Sequence, residues 1–283
     1  MDLTKIAGSR AFWSSFGKWF FGAFGLIWLC IEPIGLFMPD SVQKGWGFYF
    51  TLVVLSVFAA IYKAWPRTKV SATIPGADVE VEVRVGDLFD AQDNVVIGIN
   101  DVFDTHVGDD VISSRSIQGQ FTHIRFDGSV PALDKVIEEL IADLPSETDP
   151  SKTKGKNKRY AIGTCLEVSA KGIRHYLSAY CRMSAACKAE TDVCALLTSL
   201  EECWAKIRNT GQQNGVSMSV LGSDFGRIGL THTQLIQLIV LSFVNANRVQ
   251  HVAPKLTIYV YKGNAGKVDF AALRLWLRGV LWA

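Results

Sequence analysis

A chain of 283 residues with a formal net charge of +2 generates no overall field strong enough to call for a nucleic-acid partner. Apolar residues make up 49% and mean hydropathy is +0.19, high for a wholly soluble protein, because charged residues are scarce in the stretch before Pro66. Six cysteines with no CxxC pair, and no histidine at zinc-finger spacing, exclude a zinc module and read as reduced core thiols. No metal ligand set and no cofactor is expected.

From Phe12 to Met38 the chain is rich in Phe, Trp, Leu and Ile, with thirteen uncharged residues between Lys18 and Glu32. Thirteen helical residues reach only about 20 Å. Lys18 can snorkel, and Pro33 to Met38 extend the apolar run, so a span over about 16–38 is available. A second run, Trp46 to Trp65, carries a single charge at Lys63 and reads as a second span over 46–65.

Lys5, Arg10 and Lys18 precede the first run and Lys63, Arg67 and Lys69 follow the second. Positive charge on both outer flanks places both termini in the cytoplasm, with the chain a multi-pass protein of the cell inner membrane. A cleaved signal peptide fits less well, since the second run would remain. Glu32 has two readings: the far interface, with Pro33 ending the helix there, or an acidic group facing a neighbouring copy or a watery path.

After Pro66 the pattern turns to period-two alternation, around Val70–Pro75 and again at Val79–Val85, which reads as strands. The continuous apolar run NVVIGIN, Asn94–Asn100, suits a strand buried on both faces. Ser129 with Pro131 opens a helix that ends at Pro145. Residues 145–159, PSETDPSKTKGKNKR, hold no large apolar side chain and read as a solvated loop insertion.

Strands are expected at Tyr160–Val168, Ile173–Tyr180, Val216–Leu221 and Leu256–Tyr261. Helices are expected at Thr191–Gln213, after a Thr231/Gln234 capping box, and at about Asp269–Trp282. Trp276 and Trp282 read as core at helical spacing. The fold class is therefore α/β: residues 1–67 a two-helix transmembrane hairpin, and residues 68–283 a cytoplasmic three-layer α/β/α domain with a mixed sheet.

Between Val216–Leu221 and the next helix lies GSDFGRIG, Gly222–Gly229, whose backbone N–H groups can approach an anion at a helix N-terminus. It is no Walker motif and no GxGxxG fingerprint, which removes kinase and dehydrogenase readings.

A strand ending in Gly86-Asp87, a strand ending in Asn100 and this late glycine loop, in that order, resemble a macro domain over roughly Val79–Tyr261. The resemblance implies binding of ADP-ribose, with Asp87 on the adenine amine, Asn100 on the distal ribose, and Gly222, Ser223, Asp224, Phe225, Gly226 and Arg227 around the phosphates, Phe225 packing on a ribose. Where catalytic relatives carry a polyglycine first loop, this chain has Asp101–Phe121 instead. Phe103, Asp104, Thr105, Ser116 and Gln118 are then candidates for reading a group attached to the distal ribose.

Two spans followed by such a domain resemble the membrane-anchored macro effectors of Thoeris antiphage systems. That resemblance implies a histidine-ADP-ribose messenger made by a partner TIR-domain enzyme, self-association into oligomers, and damage to the lipid bilayer. No catalytic residue is expected. The alternative is a membrane-tethered ADP-ribosyl hydrolase, with Asn100, Asp101, Asp104 and Asp109 orienting or activating water.

Overall fold

The structure, a computed structural model, describes residues 10–37, 45–65, 67–108, 111–223 and 228–280. Its contacts divide the chain into two compact units, residues 1–67 and residues 68–283.

In the first unit, α1 (Arg10–Phe37) and α2 (Trp46–Ala64) pack against each other. Their direction is fixed by two ring contacts: Trp28 stacks on Tyr49 with centroids 6.3 Å apart, and Lys63 Nζ lies 5.4 Å from the Trp19 ring. Rising numbers on one helix thus meet falling numbers on the other, an antiparallel pair. Along α1, Phe16, Phe20, Phe24 and Trp28 recur every fourth residue and stack in turn, as residues on one helix face must. The segments Phe12–Ile34 and Trp46–Ala64 are long and apolar enough to cross a membrane. Pro33 does not end α1, contrary to the first reading of Glu32: the helix runs four residues past it to Phe37. Proline removes a single backbone donor, and a long apolar helix tolerates that loss.

The second unit is built on one mixed sheet in the order β1-β2-β10-β9-β3-β7-β6, with β8 paired on β7. The strands are β1 (Lys69–Ile74), β2 (Val79–Val85), β3 (Asn94–Asn100), β6 (Cys165–Ala170), β7 (Ile173–Met183), β8 (Ala189–Glu190), β9 (Val216–Ser219) and β10 (Lys255–Val260). The inner strands β2, β10, β9, β3 and β7 are mutually parallel, while β1 and β6 run antiparallel at the edges. Five parallel strands therefore deliver their C-terminal ends to one rim.

Helices cover both faces. On one, α5 (Val193–Thr210), α6 (His232–Val249) and α7 (Phe270–Val280) bury Leu196, Trp204, Ile239, Phe243 and Leu273 against Val96 and Ile258. On the other, α3 (Ile117–Arg125) and α4 (Val130–Ile141) bury Phe121, Leu133 and Ile137 against Val95 and Ile97. Consecutive β3 residues thus enter opposite cores, which is why that strand is apolar throughout. Trp276 packs against the first core; Trp282 lies outside the described residues.

Three expectations need correction. Helix α3 occupies a stretch read as loop. It is short and polar, but Ser116 Oγ accepts the Gly119 N–H at 3.0 Å as its cap, and it buries Phe121. Glycine is required at 119 because a Cβ would collide with the Ser113 carbonyl. The strand expected from Tyr160 begins at Cys165, since Tyr160–Thr164 turn, with Gly163 at φ +96° and the Thr164 N–H donating to Ala161 at 3.0 Å. Residues 145–159 are not simply a solvated loop. They form a two-stranded ribbon, β4 (Glu147–Thr148) against β5 (Lys158–Arg159), and Lys152 within it is buried.

Candidate functional site

A cavity of about 750 Å³ opens at the rim where the parallel strands end. This is where α/β folds place ligands, because successive strand ends and their loops diverge there. Its walls bring together Asp87 after β2, Asn100 at the end of β3, Ser116 and Gln118 at the start of α3, and Gly222 and Ser223 after β9.

Asp87 caps a one-turn 3-10 helix, Leu88–Asp90, its Oδ1 accepting the Phe89 N–H at 3.0 Å. The side chain is exposed, and Oδ2 remains for a donor on a ligand. Asn100 is 1% exposed. Its Oδ1 accepts the backbone N–H groups of Val102 and Asp104, each at 3.2 Å, whereas its Nδ2 has no hydrogen-bond partner. Two backbone donors can only face an amide oxygen, so they fix the rotamer and leave Nδ2 as the unpaired donor. A buried donor without a partner carries a desolvation cost of about 1–3 kcal/mol, which a ligand acceptor would offset.

Gly222 adopts φ +78°, and a Cβ there would lie 2.5 Å from Ile228. Both the left-handed backbone and the close approach demand glycine at the start of this loop. Asp224, Phe225, Gly226 and Arg227 lie outside the described residues.

Phe103, Asp104 and Thr105 are not in the cavity wall. Phe103, at φ +51° and fully buried, packs edge-on against Tyr160 with centroids 5.5 Å apart. Asp104 is ion-paired to Lys152 at 2.8 Å, and Thr105 Oγ1 donates to Asp134 at 2.5 Å. The chain turns inward straight after Asn100, so the three residues that follow Val102 face the protein interior. Asp101 is likewise committed, to Arg159 at 2.6 Å and the Met183 N–H at 2.9 Å. Neither Asp101 nor Asp104 is placed to activate water, and Asp109 lies outside the described residues.

Several wall residues carry no motif. Gly98 in mid-β3 sits where a Cβ would come within 2.6 Å of Leu221 and 2.8 Å of Tyr180. Tyr259 and Tyr261 at the end of β10, and Arg115 before α3, add aromatic faces and a cation. The position of the tyrosines at the end of the last strand is the signal that would have found them. Burial pushes the Tyr259 hydroxyl up from its ordinary value, so it is a neutral donor or acceptor. Burial, and then the Asp101 carboxylate, push the Cys181 thiol up to about 12, which leaves it protonated and non-nucleophilic in this wall. Among the described residues no group of His, Cys, Asp and Glu is arranged to hold a metal ion.

The family model described as Thoeris protein ThsA, Macro domain, matches residues 81–261. The Thoeris protein ThsA of Bacillus amyloliquefaciens (strain Y2) is 25% identical over 205 residues, covering 69% of this chain and 67% of that protein. Among solved structures, the Oceanobacillus iheyensis macrodomain with MES bound superposes with a TM-score of 0.50 at 10% identity, covering 75% of this chain and 98% of that one. The same macrodomain with ADP gives a TM-score of 0.49 at 10% identity, covering 74% and 95%. The matched span runs from β2 through the last parallel strand and takes in all six of the expected residues that line the cavity, and the chain belongs to the Thoeris ThsA macro-domain family.

Proposed function

We propose that this chain is an antiphage effector whose cavity binds an ADP-ribose derivative and whose two apolar helices span the inner membrane with both termini in the cytoplasm. The observation that carries the reading is the rim cavity itself. It is large enough for a nucleotide-sized ligand, and it joins a free carboxylate oxygen of Asp87, the unpaired Nδ2 of Asn100 and the glycine-led loop at Gly222 in one wall.

Each feature suits one part of ADP-ribose. A carboxylate accepts from the exocyclic amine of adenine, an amide N–H donates to a sugar hydroxyl, and a loop that ends at a helix N-terminus offers N–H groups to a diphosphate. Arg115, Ser116 and Gln118 line the same cavity, and in this reading they meet the group carried on the distal ribose. The ligand in this reading is histidine-ADP-ribose, the product of a partner TIR-domain enzyme, and binding favours an oligomeric assembly of the spans that breaches the bilayer. For a ligand to act in this way it must bind the assembled state more tightly than the resting one.

The test is titration of the full chain, first in detergent and then in liposomes loaded with a fluorescent dye. Tight binding of histidine-ADP-ribose, preferred over ADP-ribose, with ligand-dependent dye release and a larger oligomer, is the expected result. Dye retention and an unchanged oligomeric state at saturating ligand would refute the effector reading. Extraction of the chain from membranes by alkaline carbonate would refute the spans.

A further inference from the structure

Asp104 is the meeting point of four bonds from two different parts of the domain. Its backbone N–H donates to Asn100 Oδ1 at 3.2 Å, and its backbone carbonyl accepts from Gln118 Nε2. Both partners line the cavity. Its carboxylate points the other way, into the ribbon between β4 and β5: Oδ2 accepts from Lys152 Nζ at 2.8 Å and Oδ1 from the Lys156 N–H at 2.5 Å. Lys152 Nζ also donates to the Lys154 carbonyl at 2.5 Å. Gly155, at φ +68°, passes so close that a Cβ would overlap the same carboxylate. The ribbon is wrapped around this one group.

The second tie is parallel to the first. Arg159 in β5 donates to Asp101 Oδ2 at 2.6 Å and to the Met183 carbonyl at 2.7 Å, while Asp101 Oδ1 accepts the Met183 N–H at 2.9 Å. Met183 is a wall residue of the cavity. Thus the ribbon grips two carboxylates just after Asn100, those of Asp101 and Asp104, and with them reaches three wall residues, Asn100, Gln118 and Met183, without lining the cavity itself.

The Lys152 and Asp104 side chains are 0% and 1% exposed. A buried ion pair returns little net stability compared with apolar residues of the same size, because desolvation consumes most of the attraction. What it does supply is a unique geometry, since each charge must find its partner. The geometry fixed here is that of Asn100 and Gln118.

We propose that Lys152 is a positioning residue for ligand binding: through Asp104 it holds Asn100 and Gln118 in the orientation the ligand meets, which makes the Glu147–Arg159 ribbon part of the binding machinery. This rests on the reading of the cavity as the ADP-ribose site for its affinity arm, but not for its exchange arm.

The experiment uses the full chain in detergent, as wild type, Lys152→Met, and the neutral pair Asp104→Asn with Lys152→Met, which leaves no charge buried alone. Amide hydrogen exchange is followed by mass spectrometry in the absence of ligand, and ADP-ribose is titrated by calorimetry. In both variants exchange in residues 99–105 and 117–121 is expected to accelerate about tenfold, while α5 and α6 stay at wild-type rates. Affinity for ADP-ribose is expected to fall about tenfold. Acceleration confined to residues 147–159, or wild-type affinity in the neutral pair, overturns the proposal. If the wild type binds no ADP-ribose, the functional reading fails and the exchange result alone decides this one.

Discussion

The side-chain oxygen of Asn100 and the backbone N–H of Asp104 are 3.2 Å apart, and this bond, with its twin from Val102, determines which end of the Asn100 amide is left for the cavity. Asn100→Asp keeps an acceptor for both backbone donors and replaces the cavity-side N–H donor by a carboxylate oxygen. Against a ribose hydroxyl and a nearby diphosphate that exchange is unfavourable. ADP-ribose binding by calorimetry is expected to weaken at least tenfold, roughly the worth of one lost hydrogen bond plus a new repulsion. Unchanged affinity would remove Asn100 from the site.

Asp87 offers a sharper test, because its two oxygens have separate duties. Oδ1 caps the turn through Phe89, and in the proposed function Oδ2 accepts from the adenine amine. Asp87→Asn retains an oxygen for the cap, so the melting temperature should hold. It presents an N–H₂ to the base, which clashes with adenine but matches the carbonyl of hypoxanthine. The expected outcome is about a tenfold loss for ADP-ribose and a gain for its inosine analogue. Equal loss for both ligands would mean that Asp87 does not read the base.

The difference between what the sequence shows and what it hides can be traced to distance along the chain. Val79–Val85 and Asn94–Asn100 are legible because their burial is written in local periodicity, and Asp87 and Asn100 because each ends such a strand. Lys152 and Arg159 sit in a polar tract that reads as solvated, and their partners Asp104 and Asp101, roughly fifty residues upstream, go with full burial of the first and half-burial of the second. Phe103, Asp104 and Thr105 come three to five residues after Asn100 and share its neighbourhood in sequence. The inward turn that takes them from the cavity depends on Phe103 adopting φ +51°, a conformation that a phenylalanine does not advertise. Helix α3 was hidden by Gly119, a helix breaker by propensity that is required here by the Ser113 carbonyl.

His175 in β7 should make the fold sensitive to mild acid. It is fully buried, its ring centroid 5.0 Å from that of Phe121. Burial, reinforced by the nearby Arg125 cation, lowers its value from 6.5 to about 4. The unfolded chain therefore binds a proton between about pH 6.5 and 4 that the folded one refuses. Stability attributable to this site is intact above pH 6.5, declines as pH falls, and levels off below about 4, with a total on the order of 3 kcal/mol. Thermal melts of the full chain across that range, compared with His175→Leu, measure it. The variant should lose the part of the acid sensitivity that belongs to this residue, and an identical pH profile would show that His175 is not its source.

The last prediction concerns the width of the cavity. At Gly98 a Cβ would come within 2.6 Å of Leu221 and 2.8 Å of Tyr180, and all three residues line the wall. The colliding atoms are a leucine methyl and the edge of a tyrosine ring, both side chain and not backbone, so in Gly98→Ala they must move, and both residues border the cavity. The substitution should cost about 1–3 kcal/mol of stability, as overpacking does, and weaken ADP-ribose binding by narrowing the site. Removing the obstructing methyl groups relieves the shorter of the two collisions: Gly98→Ala with Leu221→Ala leaves only the Tyr180 ring edge to shift and is expected to recover part of the affinity even if stability stays low. Binding that remains fully lost in the double variant would mean that the space taken from Leu221 is not what the ligand requires.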